Sequence, residues 1–93
     1  MILFTRRGCE ECQKLKELFP LEAMKAYLNI IELPSVTAPM SLTQADADAL
    51  AEADFHEVDE TPVLIRDDGL KATDFQIIVE ILEDLQNRLA TGP

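Results

Sequence analysis

Hydrophobic residues recur along the chain with two periods, one suited to strands and one to helices. Ile2 to Thr5 is a short apolar run that predicts a strand, ended by Arg6, Arg7 and Gly8. Cys9 to Phe19 carries a helical pattern: Glu10 and Glu11 fall in its first turn, Lys14 and Lys16 follow, and Cys12, Leu15, Leu18 and Phe19 make one apolar stripe. Pro20 interrupts it, and Leu21 to Ala26 has room for one more helical turn. Tyr27 to Leu33, with Ile30 and Ile31 at its centre and Pro34 at its end, predicts a second strand, and Ser35 to Pro39 a loop.

The second half repeats the alternation. A helix is expected from about Thr43 to Asp54, with Leu42, Ala45, Ala49 and Ala53 at helical spacing and Ser41 with Gln44 as a capping box. Its small alanines suit close packing on a sheet. Thr61 to Arg66 predicts a third strand, Asp67-Asp68-Gly69 a tight turn, and Leu70 to Ala72 a short fourth strand. Ile78, Ile81, Leu82, Leu85 and Leu89 form the apolar stripe of a last helix, for which Thr73 and Gln76 make a second capping box. The order β-α-β-α-β-β-α begins with a crossover, which wants parallel strands, and ends in a hairpin, which wants antiparallel ones. An α/β domain follows, a four-stranded mixed sheet flanked by three helices, which is the arrangement of the thioredoxin fold.

Composition narrows the classes. The 93 residues make one small domain, and an apolar fraction of 47% is that of a folded globule. Eight basic against eighteen acidic residues give a formal net charge of −10, which repels nucleic acid and anionic membranes. The chain opens Met1-Ile2-Leu3-Phe4-Thr5-Arg6-Arg7, without a leader pattern, and carries no apolar run of spanning length, so a cytoplasmic protein is expected.

Against that setting the two cysteines, Cys9 and Cys12, gain weight. A reducing compartment seldom keeps a structural disulfide, which favours a reactive or metal-binding pair over a staple. Two intervening residues at a helix start bring both sulfurs to one face, close enough to form a disulfide. The partial positive charge of the helix amino terminus, with Arg6 and Arg7, stabilises a thiolate at Cys9, while Glu10 and Glu11 oppose it. Cys9 is expected to titrate below the free-thiol value of about 8.5. Cys12, one turn further in, is the resolving partner of a thiol–disulfide exchange. The plain alternative is two small core residues.

Three segments extend this into a family resemblance. Phe4-Thr5-Arg6-Arg7-Gly8-Cys9-Glu10-Glu11-Cys12, Thr61-Pro62-Val63-Leu64-Ile65 and Thr73-Asp74 together resemble a glutaredoxin-like protein of the thioredoxin superfamily, over Ile2 to about Leu89. The resemblance implies that Pro62 is cis and packs beside the dithiol, and that the Thr61 backbone pairs with a substrate chain. It implies that Arg6 meets a carboxylate and that Thr73 and Asp74 open the helix that holds the γ-glutamyl end of glutathione. Three departures stand out: Glu10-Glu11 between the cysteines, Lys71-Ala72 where the family carries Gly-Gly, and no tryptophan before Cys9.

Each site residue also has a bland reading: Arg6 as a solvated loop cation, Pro62 as a strand-start proline, Thr73 and Asp74 as caps. Arg7 is expected to be solvated only, Asp46, Asp48, Glu52 and Asp54 to form a solvated helix face, and His56, the single histidine, to be solvated or capping. The leading expectation is a monomeric thiol–disulfide oxidoreductase acting on a disulfide-containing protein or on glutathione mixed disulfides. No bound metal or cofactor is expected for it, and glutathione is a candidate reductant. A metal or iron–sulfur module built on Cys9 and Cys12, and a non-catalytic redox-sensing module, are the alternatives.

Overall fold

A computed structural model describes residues 1–35 and 43–90 of the chain. The expected loop lies outside the described residues beyond Ser35, as do Ser41 and Leu42. The elements are β1 (Ile2–Arg6), α1 (Glu10–Leu18), α2 (Leu21–Met24), β2 (Asn29–Leu33), α3 (Gln44–Phe55), β3 (Val63–Ile65), β4 (Lys71–Ala72) and α4 (Phe75–Ala90). The sheet order is β2-β1-β3-β4, with β1 parallel to β2 and the other pairs antiparallel. This is the mixed four-stranded sheet of the expected element order; the turn after Pro20 adds α2 as a fourth helix.

Alternation along the strands sends side chains to two faces, each with its own core. Leu3 and Leu64 point to the side on which α1, α2 and α4 contribute Leu15, Phe19, Leu21, Met24, Ile78 and Leu82. Phe4, Val63 and Ile65 point to the other side, where α3 meets the sheet through Ala49 and Ala53. The small alanines let α3 lie close to the strands. Each large side chain buried here contributes about 1.5–3 kcal/mol.

Several expected boundaries shift for identifiable reasons. Leu18 is 58% exposed and does not belong to the inner stripe. The buried arc is centred on Cys12, Leu15 and Phe19, and at 100° per residue Leu18 falls about a quarter turn off it. Tyr27 is exposed in the turn after α2, and β2 begins only at Asn29. Residues 61 and 62 precede β3 as a cis peptide pair rather than joining the ladder. Arg66 leaves the strand to open a tight turn closed by Gly69 N–H to Arg66 O, 2.9 Å, with Gly69 at φ +88°. Leu70 still belongs to the turn, and β4 begins only at Lys71.

Both predicted helix caps are corrected by their neighbours. Thr43, not Ser41, caps α3: its hydroxyl accepts from Asp46 N–H and its own N–H donates to Asp46 Oδ2, each at 3.1 Å. At α4 the cap is Asp74, not Thr73; its carboxylate accepts from Gln76 N–H at 2.9 Å and Ile77 N–H at 3.2 Å. The far end of α3 closes with Glu57 N–H to Asp54 O and Val58 N–H to Ala53 O, a Schellman closure. Glu57 takes the left-handed conformation, φ 56°, that glycine usually supplies there.

Candidate active site

The strand β1 delivers its last residue, Arg6, to a turn in which Cys9 N–H donates to Arg6 O at 3.2 Å. Gly8, third in that turn, has φ +83°. A side chain there meets nothing nearer than Ser35 Oγ at 4.0 Å, so backbone conformation rather than crowding asks for glycine. Arg7 N–H donates to Leu33 O at 3.1 Å, which ties the turn to the end of β2.

Cys9 is the N-cap of α1, with extended backbone at φ −85° and ψ 119°. Its sulfur accepts the N–H of Cys12 at 3.2 Å, doing the work a serine or aspartate oxygen does at other helix starts. The two sulfurs are joined in a disulfide across a Cα–Cα distance of 5.2 Å. Their surroundings differ. Cys9 is partly exposed, whereas Cys12, on the buried side of α1, is 1% exposed. Cys9 is the more accessible of the two.

Cys9 Sγ also lies 3.9 Å from Thr61 O, at the cis Thr61–Pro62 peptide that precedes β3. A disulfide sulfur carries no proton, so this is a contact in the oxidised state and a hydrogen bond only for the reduced thiol. The carbonyl disfavours a thiolate at that sulfur and the Cys12 N–H favours one.

Beside the dithiol runs an open groove of about 360 Å³ lined by Arg6, Arg7, Gly8, Cys9, Glu10, Cys12, Gln13 and Lys16. Arg6 pairs with no carboxylate among the described residues, and its Nε is buried without a hydrogen-bond partner. Thr5, fully buried on β1, has an equally unpartnered hydroxyl. A buried polar group left so carries a penalty of about 1–3 kcal/mol.

Arg7 departs from the solvated reading. Its guanidinium pairs with Asp46 Oδ1, and its Nε lies 3.6 Å from Glu32 Oε1. Asp46 is only 7% exposed and is therefore not part of a solvated helix face. Glu32 in turn meets Lys16 Nζ at 3.3 Å. Partners 39 positions apart leave no local pattern. One half was findable: Thr43-x-x-Asp46 is itself a capping-box spacing.

The structure thus brings Arg6, Cys9, Cys12, Thr61 and Pro62 to one end of the sheet. Thr73 and Asp74 line a separate groove with Leu70, Lys71, Ile77 and Ile81. His56 caps the end of α3 and sets its ring edge-on to Phe4 and Phe55, at centroid distances of 5.8 and 5.0 Å. Among the described residues no three His, Cys, Asp or Glu side chains converge as a metal-binding group, and no helix is long and apolar enough to cross a membrane. No protein-family model matches the chain, and neither a curated protein nor a solved structure is significantly similar to it.

Proposed function

We infer that the chain is a thiol–disulfide oxidoreductase of thioredoxin-like fold, working through Cys9 and Cys12. The observation that carries this reading is the asymmetry of the pair: an accessible sulfur at a helix amino terminus bonded to a buried one a turn further in. In the reduced protein the Cys9 thiolate attacks one sulfur of a substrate disulfide. A Cys9–substrate disulfide forms, the substrate S–S bond breaks, and the first substrate thiolate leaves and takes up a proton. Cys12, as thiolate, then attacks Cys9 Sγ and expels the second. The substrate gains two electrons and two protons, and the protein ends as the Cys9–Cys12 disulfide. A thiol such as glutathione returns it to the dithiol.

The other site residues support the same reading. Thr61 stands where its backbone can pair with a substrate chain running past Cys9. Arg6, which pairs with no carboxylate among the described residues, offers its guanidinium to a substrate carboxylate. Thr73 and Asp74 have a smaller claim, because Asp74 is occupied by the start of α4. Both cysteines come from one chain, so a monomer suffices.

The test is reduction of a glutathionylated peptide and of a protein disulfide, with glutathione as donor. Activity is expected, is abolished in Cys9→Ser, and is accompanied in Cys12→Ser by an accumulating Cys9 mixed disulfide. Equal turnover in Cys9→Ser sinks the reading.

A further inference from the structure

Asp46 is one of only two buried polar or charged side chains among the described residues. Its two oxygens are divided between two tasks. Oδ2 accepts from Thr43 N–H to close the capping box, while Oδ1 pairs with the Arg7 guanidinium. A cap needs only a polar acceptor; a buried carboxylate is costly unless a cation pairs with it. Arg7 thus balances a charge that the amino end of α3 also favours.

Arg7 occupies the turn that delivers Cys9 and lines the groove beside the sulfurs. From it an alternating line of charge runs through Glu32 on β2 to Lys16 on α1. Arg7 faces two carboxylates, so its cation is balanced before it can act on the sulfur. The remaining charges at the dithiol are Arg6 on the turn and Glu10 and Glu11 on α1, with Asp59 and Glu60 preceding the Thr61 carbonyl in the chain.

We propose that Asp46 is a positioning residue for the dithiol, holding Arg7, and with it the turn before Cys9, while keeping the Arg7 charge from the Cys9 thiolate. Its bearing on turnover rests on the oxidoreductase reading above. Asp46→Asn separates the two tasks, because the amide oxygen still caps α3 while the amide N–H₂ no longer attracts a guanidinium.

The experiment measures the pH dependence of Cys9 alkylation in reduced Cys12→Ser protein. With Asp46→Asn the midpoint moves to lower pH, and alkylation at pH 7 speeds up about twofold, the scale set by one partly exposed ion pair. In an Arg7→Gln background the same substitution has no effect. An unchanged rate in a folded Asp46→Asn protein overturns the proposal, leaving a cap and nothing more. An equal acceleration in the Arg7→Gln background also overturns it, since the action then does not pass through Arg7.

Should Asp46→Asn not fold, Arg7→Gln alone reads the link from its other end. It leaves the cap intact and removes the anchor that ties the turn before Cys9 to Asp46, so alkylation slows about twofold; no change overturns the proposal. Alkylation requires a thiol and no exchange partner. A protein that lacks disulfide reduction yet responds to Asp46→Asn refutes the oxidoreductase reading and supports the coupling. One that reduces disulfides and does not respond loses only the coupling.

Discussion

The sulfur of Cys9 lies 3.9 Å from the carbonyl oxygen of Thr61, a residue 52 positions further along the chain. The contact joins the helix that carries the dithiol to the strand that follows Pro62, and it makes the Cys9 sulfur the meeting point of both halves of the sequence. Cys12 has no such exposure. In the reduced protein iodoacetamide should therefore modify Cys9 well before Cys12, as peptide mapping by mass spectrometry will report. Equal labelling of the two would remove the distinction between attacking and resolving sulfur.

Glu10 and Glu11 place two carboxylates in the first turn of α1, next to the sulfur that must become an anion. Removing them stabilises the thiolate and hence the reduced form, so the reduction potential rises. The double variant Glu10→Gln/Glu11→Gln should be more oxidising than the parent by about 10–40 mV, the equivalent of two weak surface interactions. Equilibration against a glutathione buffer measures it, and a shift of opposite sign would mean that another group dominates the field at Cys9.

Gly8 and Gly69 both have positive φ, +83° and +88°, with no close neighbour that a methyl group would strike. Alanine at either position should cost about 1–2 kcal/mol, or several degrees of melting temperature, through backbone conformation alone. The two should part in function. Gly8→Ala alters the turn that presents Cys9 and slows its alkylation, whereas Gly69→Ala leaves that rate at the parent value.

Leu15 and Leu18 lie three positions apart on α1, the first fully buried and the second 58% exposed. Leu15→Ala opens the core between α1 and α4 and should destabilise by about 2–5 kcal/mol in urea unfolding. Leu18→Ala should stay within about 0.5 kcal/mol of the parent. Comparable losses would return Leu18 to the core stripe.

Asp74 accepts two amide protons at the start of α4, and Thr73 stands one residue outside. Asp74→Ala should lower stability by about 1 kcal/mol, with Thr73→Ala close to neutral. The reverse ranking would put the cap where the Thr73–Gln76 spacing alone suggests it.

Much of the scaffold was legible because its signals are periodic. Ile78, Ile81, Leu82, Leu85 and Leu89 all face the sheet side of α4, buried or partly buried, as their spacing demands. The crossover and the hairpin likewise set parallel and antiparallel pairing without reference to any distant residue. Boundaries were less legible where two residues offer the same chemistry. Both Thr73 and Asp74 are good caps, and only the direction in which the backbone enters α4 selects Asp74. At the site, Cys9, Cys12 and Arg6 share one local segment, which spacing and helix electrostatics can read. Thr61 and Pro62 came only from a family resemblance. The Arg7–Asp46 pair, which joins the turn after β1 to the first turn of α3 across 39 positions, has no one-dimensional trace beyond the capping spacing of Thr43 and Asp46.

The reactive sulfur doubles as the cap of its own helix, accepting the Cys12 N–H at 3.2 Å. Every covalent event at Cys9, whether thiolate, mixed disulfide or internal disulfide, therefore changes the acceptor that this amide sees. The Cys12 amide is a built-in reporter: its exchange with deuterium and its NMR shift should follow the oxidation state of the pair with no label attached. Turnover becomes visible from the backbone of the protein itself.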